Sequence, residues 1–487
     1  MIVQPTHNTP SINDLPNEIL LCIFKCVRPA YSALGCENWM QRLLVCRRWR
    51  DVVVSTTSLW SDIYVSSEPK WLDLCLSRCA NGPANLFFFR RCSIDRTVPI
   101  LRRYSNIIKE IHYRGLHRRW MVDIEQILKI PMPALVSFEI LNALFDRSEA
   151  SVKLENLPRL RNLTLNMCVL DPNDTPRLAT LRSLSLVSAC RLGPAVTFEE
   201  FMNVLADSSG LEALELGGTL QDLRDCPQGY ARDHPTLRPP ITLERLRELR
   251  IRQFSCALTS HVLARLHLPN AVLVRIALDE VFGYTFPGLS SFLPDNVPVA
   301  FPLVSATTSL SIRISRADCV VFAKGSSSSF SLSLLVCPDT HASFDYILRV
   351  FASASVTELK FEAERLYGYY PSTWKEAFRS LPRLRHLCIS ERSGITEPSR
   401  VLAGLELASE ADSSACCPGL VAMTIGTRDN LLGVHHTTYR RIVTFLRRRA
   451  DQGAQLERVE LFLSHRNPIC GAGEEIEAAL ESLTRTE

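Results

Sequence analysis

One text keeps returning along this chain: an apolar residue, two others, a second apolar residue, one other, and a third. It reads Leu160-x-x-Leu163-x-Leu165, then Leu181/Leu184/Leu186, Leu211/Leu214/Leu216, Leu246/Leu249/Ile251 and Leu273/Ile276/Leu278. It resumes at Val356/Leu359/Phe361, Leu384/Leu387/Ile389, Leu420/Met423/Ile425 and Leu456/Val459/Leu461, with weaker copies at Ile108/Ile111/Tyr113 and Leu135/Phe138/Ile140. Leu310-x-Ile312 and Leu332-x-Leu334 read as degraded copies. Intervals between first positions vary and include 21 residues (Leu160 to Leu181), 30 (Leu181 to Leu211), 35 (Leu211 to Leu246) and 28 (Val356 to Leu384). A constant pattern with variable spacers marks a stacked array rather than one closed core, because no single unit buries its apolar face alone. The second and third apolar positions alternate with polar ones, which specifies a short strand facing inward with both. The first position tightens the preceding turn. Stretches such as Thr197–Leu205 and His435–Arg449 carry apolar residues at helical spacing and can cover the strands' other side. The expected fold class is α/β, a curved parallel sheet backed by helices.

Four segments read as interruptions of the array. Thr219–Pro240 is Pro-rich with mixed charge, Phe286–Pro302 is apolar and Pro-rich, Gly325–Ser331 is a serine tract, and Glu391–Pro418 is acidic and loop-like. Surface excursions are the expectation for all four.

The first sixty residues differ. Pro16 in Asp14-Leu15-Pro16-Asn17-Glu18 suits a helix's first turn, where its missing N–H costs nothing. Ile19, Leu20, Ile23, Phe24 and Val27 then share one side of a helix that Pro29 ends. A second periodic stretch runs from Trp39 through Leu43, Leu44, Val45, Cys46, Trp49, Val52 and Val53, followed by Leu59-Trp60 and a strand-like Ile63-Tyr64-Val65. About fifty residues make a marginal independent core, and these apolar side chains are too many for it to hide. Some are left for a partner.

Leu15-Pro16-x-Glu18-Ile19-Leu20-x-x-Ile23-Phe24, Val45-Cys46-Arg47-Arg48-Trp49-Arg50 and Leu59-Trp60 together resemble an F-box over residues 12–65, with a longer connector at Arg28–Asn38. The resemblance implies a small three-helix module that docks on a Skp-type adaptor, and through it on a cullin–RING ubiquitin ligase, as a substrate receptor; the alternative is a non-catalytic protein-interaction scaffold that does not promote ubiquitination. By that similarity Leu15, Pro16, Ile19, Leu20, Ile23, Val45, Cys46 and Trp49 are adaptor-binding candidates, although several can equally fill the module's own core. The repeats resemble leucine-rich repeats, in the irregular form of many fungal F-box proteins. The family's Asn or Cys after the third apolar position survives as Cys168, whereas Ala189, Thr219, Phe254, Val281 and Arg392 stand at that place elsewhere. The expected organisation is a flexible 1–11, an F-box at 12–65, a connector and first cap-like unit at 66–100, a solenoid at 101–470, and a cap or tail at 471–487.

Chemistry is not the expectation. The chain lacks a phosphate loop, a Gly-x-Gly-x-x-Gly turn, a His-Glu-x-x-His motif and a Gly-x-Ser-x-Gly elbow, so no catalytic residue and no cofactor is assigned. Seventeen irregularly spaced cysteines suggest buried reduced thiols. Cys22/Cys26 and Cys75/Cys79 are one helical turn apart, with no ligand quartet to complete a metal site. Lys plus Arg exceed Asp plus Glu by only four, which implies no nucleic acid or membrane-surface partner, and the arginine pairs are scattered. No stretch reads as a membrane span, and MIVQPTHNTPSINDLP has no signal-like apolar run, so a cytoplasmic or nuclear location is expected. Residues between the strands' apolar positions point to the open face, where solenoids meet partners. There Arg250 and Arg252, with Asp279, Glu358 and Lys360, are the candidates for binding an unknown target protein.

Overall fold

The computed structural model describes residues 15–26, 45–79, 82–88, 93–115, 120–142, 150–166, 168–187, 196–218, 223–225, 239–254, 256–278, 289–294, 296–315, 318–334, 340–363, 369–391, 399–410, 416–425 and 436–461. It has two compact units, residues 1–193 and 194–487.

The first unit begins with α1 (Asn17–Cys26), whose opening turn hangs on the Pro16 carbonyl, bonded by the amides of Ile19 and Leu20 at 3.1 Å each. Leu20 and Phe24, four apart, are its buried residues. α2 (Arg47–Ser55) starts at Cys46, whose sulfur accepts the Trp49 amide at 3.5 Å, and buries Val52 and Val53. The Phe24 and Trp49 rings meet edge to face at 5.0 Å. A 3-10 turn at Thr57–Leu59 leads into β1 (Asp62–Val65). Any third helix would fall in 27–44, outside the described residues.

There follow α3 (Pro69–Arg78), β2 (Ala84–Phe88), α4 (Ile94–Arg103), β3 (Ile108–Gly115), α5 (Trp120–Leu128), β4 (Ser137–Asn142), β5 (Ala150–Val152), β6 (Asn162–Asn166), β7 (Cys168–Leu170) and β8 (Ser183–Val187). The ladder runs β1-β2-β3-β4-β6-β8, every pair parallel and in chain order, while β5 and β7 pair separately. Parallel neighbours need a crossover, and the helices and a 3-10 segment at Pro172–Thr180 supply it.

The second unit contains α6 (Phe198–Asp207), β9 (Ala213–Gly217), β10 (Ile241–Thr242), β11 (Glu248–Arg252), α7 (Cys256–Arg265), β12 (Leu266–His267), β13 (Leu273–Leu278), α8 (Leu289–Phe292) and α9 (Val297–Ala300). Then come β14 (Ser309–Ile314), β15 (Cys319–Lys324), β16 (Ser329–Leu334), α10 (Thr340–Phe351), β17 (Glu358–Ala363), α11 (Pro371–Ser380), β18 (His386–Glu391), α12 (Ser399–Glu410), β19 (Ala422–Ile425), α13 (His436–Asp451) and β20 (Arg458–Leu461). Its main ladder is β9-β11-β13-β16-β15-β14-β17-β18-β19-β20. A Thr197–Glu200 capping box, with amide bonds of 2.8 and 3.1 Å, starts α6 one residue inside the expected stretch.

The ladder departs from an all-parallel sheet at β15, which runs antiparallel to both neighbours. The cause is connection length. Only Ser315–Asp318 and Gly325–Ser328 join it to β14 and β16, too few residues for a parallel crossover. The Ser315 and Gly325 amides close these turns on the Asp318 and Ser328 carbonyls at 2.7 and 2.8 Å. Gly325–Ser331 is therefore no excursion: its last three residues lie in β16. Phe286–Pro302 is corrected likewise. Its described part forms α8, α9 and the start of a 3-10 turn, and it buries Leu289, Val297 and Phe301 against the sheet's backing layer. Within Glu391–Pro418 lies α12, with Val401, Leu402, Leu405 and Ala408 buried.

Hydrogen-bond register corrects the frame of two copies. Val274 and Ile276 stand opposite Leu249 and Ile251, and Phe330 and Leu332 opposite Val274 and Ile276. Both copies were read two residues late, because Val274, Ile276 and Leu278 alternate without a break. A shift of two leaves each residue on its face. Two further rungs, Trp60/Ile63/Val65 and Leu86/Phe88, align with Ile111 and Tyr113 and extend the pattern towards the N-terminus. The cysteines divide: Cys75 and Cys79 are buried as expected, whereas Cys22 and Cys26 are exposed on α1. Among the described residues no cluster of metal ligands occurs, and no helix is long and apolar enough to cross a membrane.

Behind β17, Phe344, Phe361 and Trp374 meet edge to face at 4.7–5.0 Å, and Tyr369 joins Phe361 at 5.2 Å. Gly404 of α12 lies against this cluster, where an added Cβ would meet the Trp374 Cβ at 2.3 Å. Trp374→Ala should cost about 3–5 kcal/mol and Gly404→Ala about 1–3 kcal/mol. Equilibrium urea unfolding measures both, and an unchanged midpoint for Gly404→Ala would contradict this packing.

Candidate partner-binding surfaces

Arg48 ties the starts of α1 and α2 together, donating to Asn17 Oδ1 at 2.9 Å and to the Leu15 carbonyl. It thereby ties the residues that open α1 to the first turn of α2. Of the eight adaptor candidates, Pro16, Ile19 (46% exposed) and Val45 (58% exposed) face solvent. Leu15, Ile23, Cys46 and Trp49 are half-buried, and Leu20 is fully enclosed. Trp49 keeps its ring on Phe24, while its buried indole Nε1 has no hydrogen-bond partner among the described residues.

On the second unit the open face is the set of side chains alternating with the buried ones. Arg250 and Arg252 both stand there, but each already holds a carboxylate: Glu248 at 2.8 Å and Glu215 at 3.2 Å. Glu358 and Lys360 are exposed on β17, and Asp279 lies outside the described residues. The Arg447-Arg448-Arg449 run divides by helical phase. Arg447 is exposed, Arg448 bonds Glu406 at 3.1 Å, and Arg449 is buried.

Two further clusters escaped the sequence reading. On the first unit's open face, Tyr64, Phe87 and His112 occupy one row of adjacent strands, with ring centroids at 5.3 and 4.7 Å and near-parallel planes. Glu139 is next in the row and bonds His112 Nδ1, while Glu110 sits 3.1 Å from Nε2. With a carboxylate at each nitrogen, only the doubly protonated imidazolium donates to both, and Phe87 supports its charge. Burial opposes that charge, but the hydrogen bonds to Glu139 and Glu110 outweigh it, so the His112 pKa is raised. Glu139 is lowered by the His112 bond against burial, with Arg114 adding charge. The sequence signal was one polar residue between Ile111 and Tyr113, indistinguishable from any strand spacer.

The second cluster is the adjacent pair Cys416 and Cys417, sulfurs 3.8 Å apart, where Cys417 has φ 49°. Arg449 holds their carbonyls at 2.9 and 3.1 Å and that of Ala454 at 3.1 Å. The Cys417 thiol's hydrogen bond pulls Cys416 down to about 7, against burial and with help from Arg449. Cys417 is pushed up in turn by that bond and its burial. Adjacent cysteines recur by chance in a chain with seventeen, and nothing in the sequence marks Arg449, over thirty residues away, as their neighbour.

Two measurements follow from these clusters. The raised histidine contributes stability below its ordinary value of 6.5 and loses it as pH rises through the raised value. The lowered glutamate contributes above its ordinary 4.5 and loses it as pH falls through the lowered value. His112→Gln should therefore cost about 1–2 kcal/mol, most fully between pH 4.5 and 6.5, in urea unfolding across pH. A pH-independent difference would show that the ion pair is absent. Alkylation of Cys416 by iodoacetamide, followed by mass spectrometry, should have its midpoint near pH 7; a midpoint near 9, the ordinary thiol value, would remove the Cys417 and Arg449 contributions.

A family model described as F-box-like matches residues 12–66, the segment that includes α1, α2 and β1. No curated protein matches the chain. The chain thus carries at its N-terminus an F-box-like domain, a kind of module that typically binds Skp-type adaptors of ubiquitin ligase complexes.

Proposed function

We propose that this protein is the substrate-recognition subunit of a Skp-adaptor–cullin–RING ubiquitin ligase, acting in the cytoplasm or nucleus. The observation that carries the reading is the F-box-like match, joined to exposed Pro16, Ile19 and Val45 around the Arg48 clasp. Exposed apolar side chains suit a surface completed by a partner, and the Trp49 N–H has no hydrogen-bond partner among the described residues. The strand-and-helix units beyond it read as an irregular leucine-rich-repeat solenoid, interrupted by one antiparallel strand, whose open face takes the target protein. The chain performs no bond chemistry of its own. It holds a target near an activated ubiquitin, which raises the effective concentration of the target's lysines.

The deciding measurement is binding of a purified Skp-type adaptor to the full chain. Ile19→Asp/Val45→Asp alters exposed positions, so circular dichroism should be unchanged. Affinity should fall by about 100-fold, two anchor contacts of roughly 1–2 kcal/mol each. A well-folded wild type that ignores the adaptor, or a double variant that binds as tightly, would overturn the proposal.

A further inference from the structure

One row of the second unit's open face has an arrangement that its neighbours lack. Across five adjacent strands stand Arg275 (β13), Ser331 (β16), Phe322 (β15), Ser311 (β14) and Lys360 (β17), each directly opposite the next. Phe322 is 44% exposed, although every neighbouring phenylalanine of these strands points to the core. The serines beside it are too short to cover a phenyl ring, which therefore projects above its surroundings. A depression of about 300 Å³ lies against it, bounded by Lys324 and the Gly325–Ser329 turn.

The charges around the ring differ from those elsewhere on the face. Arg250, Arg252 and Arg313 are neutralised by Glu248, Glu215 and Asp318 at 2.8–3.2 Å. Among the described residues Arg275, Lys324 and Lys360 have no such bridge, and these three surround Phe322. Among the described residues of these five strands the acidic ones are Glu358 and Glu362, each two positions from Lys360 on β17. With strands about 4.8 Å apart, Arg275 and Lys360 stand roughly 10 Å to either side of the ring.

Resting on the receptor reading above, we infer that this row is the target-binding centre, and that it takes an extended acidic peptide segment anchored by one apolar side chain. In an extended chain, residues two apart share a face and lie about 6.8 Å apart. The long Arg275 and Lys360 side chains span the remaining roughly 3 Å. The segment that fits has an apolar residue on Phe322 with Asp or Glu two positions before and two after it. The exposed aromatic supplies the anchor, and the three cations, unbridged among the described residues, supply register and orientation.

The test pans a phage-displayed random-peptide library against the full chain bound to its adaptor, and in parallel against the chain alone. Enriched peptides should carry Leu, Ile, Met or Phe flanked on both sides by acidic residues at that spacing. Their affinity should drop at least about tenfold with Phe322→Ser and with Arg275→Ser/Lys360→Ser, all surface changes whose thermal melts should match the wild type. Failure to enrich any sequence would overturn the inference. So would enrichment of basic or uncharged peptides, or of peptides that bind Phe322→Ser undiminished. Adaptor binding with no such peptide defeats this inference alone. Acidic, Phe322-dependent peptides from a chain that ignores the adaptor defeat the receptor reading and leave the surface standing.

Discussion

Most parallel steps of the sheet depend on one backbone carbonyl, placed just before a strand and accepting two amides from the start of the next strand in the ladder. Val136 receives Arg161 and Asn162, Arg161 receives Arg182 and Ser183, and Glu212 receives Arg247 and Glu248. The same fork recurs at Arg247, Thr308, Thr357, Arg385 and Val421, with distances of 2.7–3.1 Å. Immediately before it, the first apolar residue of the repeat closes a turn on the carbonyl three residues back, as Leu181 does on Leu178 and Leu384 on Leu381. The apolar side chain and the fork are parts of one device. Burial of the leucine holds the turn, and the turn aims two N–H groups at the previous unit. Every buried amide here needs a partner, so register passes from unit to unit with little freedom to slip.

This explains which parts of the fold were legible. A side chain buried at regular spacing leaves a periodic trace, and those traces located the strands that carry the repeated text, the helices α6 and α13, and the N-terminal module. The frame failed only where three apolar residues alternate, at Val274–Leu278 and Phe330–Leu334, since period two cannot distinguish them and backbone pairing must. Pro-rich Phe286–Pro302 and small-residue Glu391–Pro418 were read from composition alone. In Phe286–Pro302 the four-residue helices α8 and α9 offer too few turns for periodicity to show, whereas in Glu391–Pro418 the twelve-residue α12 is flanked by acidic and small residues that dominate the composition.

Site residues were legible only in part, for a related reason. The N-terminal candidates carry a motif with its own spacing, and most lie at or near the surface in the clasped region around Arg48. On the open faces a functional residue occupies the same slot as an ordinary solubilising one. What sets His112 or Phe322 apart is the identity of residues on neighbouring strands: Glu139 beside one, and beside the other two serines and cations that hold no carboxylate among the described residues. Arg250 and Arg252 show the converse. Their spacing on one face singled them out, yet cross-strand and same-strand glutamates occupy both.

The reversed order of β14, β15 and β16 also shapes how the second unit can be built. A ladder that grows one strand at a time along the chain reaches β13 and finds the next strand, β14, with no edge to join. Its place is three strands further on, beyond two partners that have yet to emerge. The three strands close their own hairpins locally, an event of microseconds, and then dock as a ready-made block whose far edge, β14, is the template for β17. Growth of the array therefore has a discontinuity at this point. The surface centred on Phe322, which takes Arg275 from β13 and Lys360 from β17, exists only when the strands on both sides of the block are joined to it.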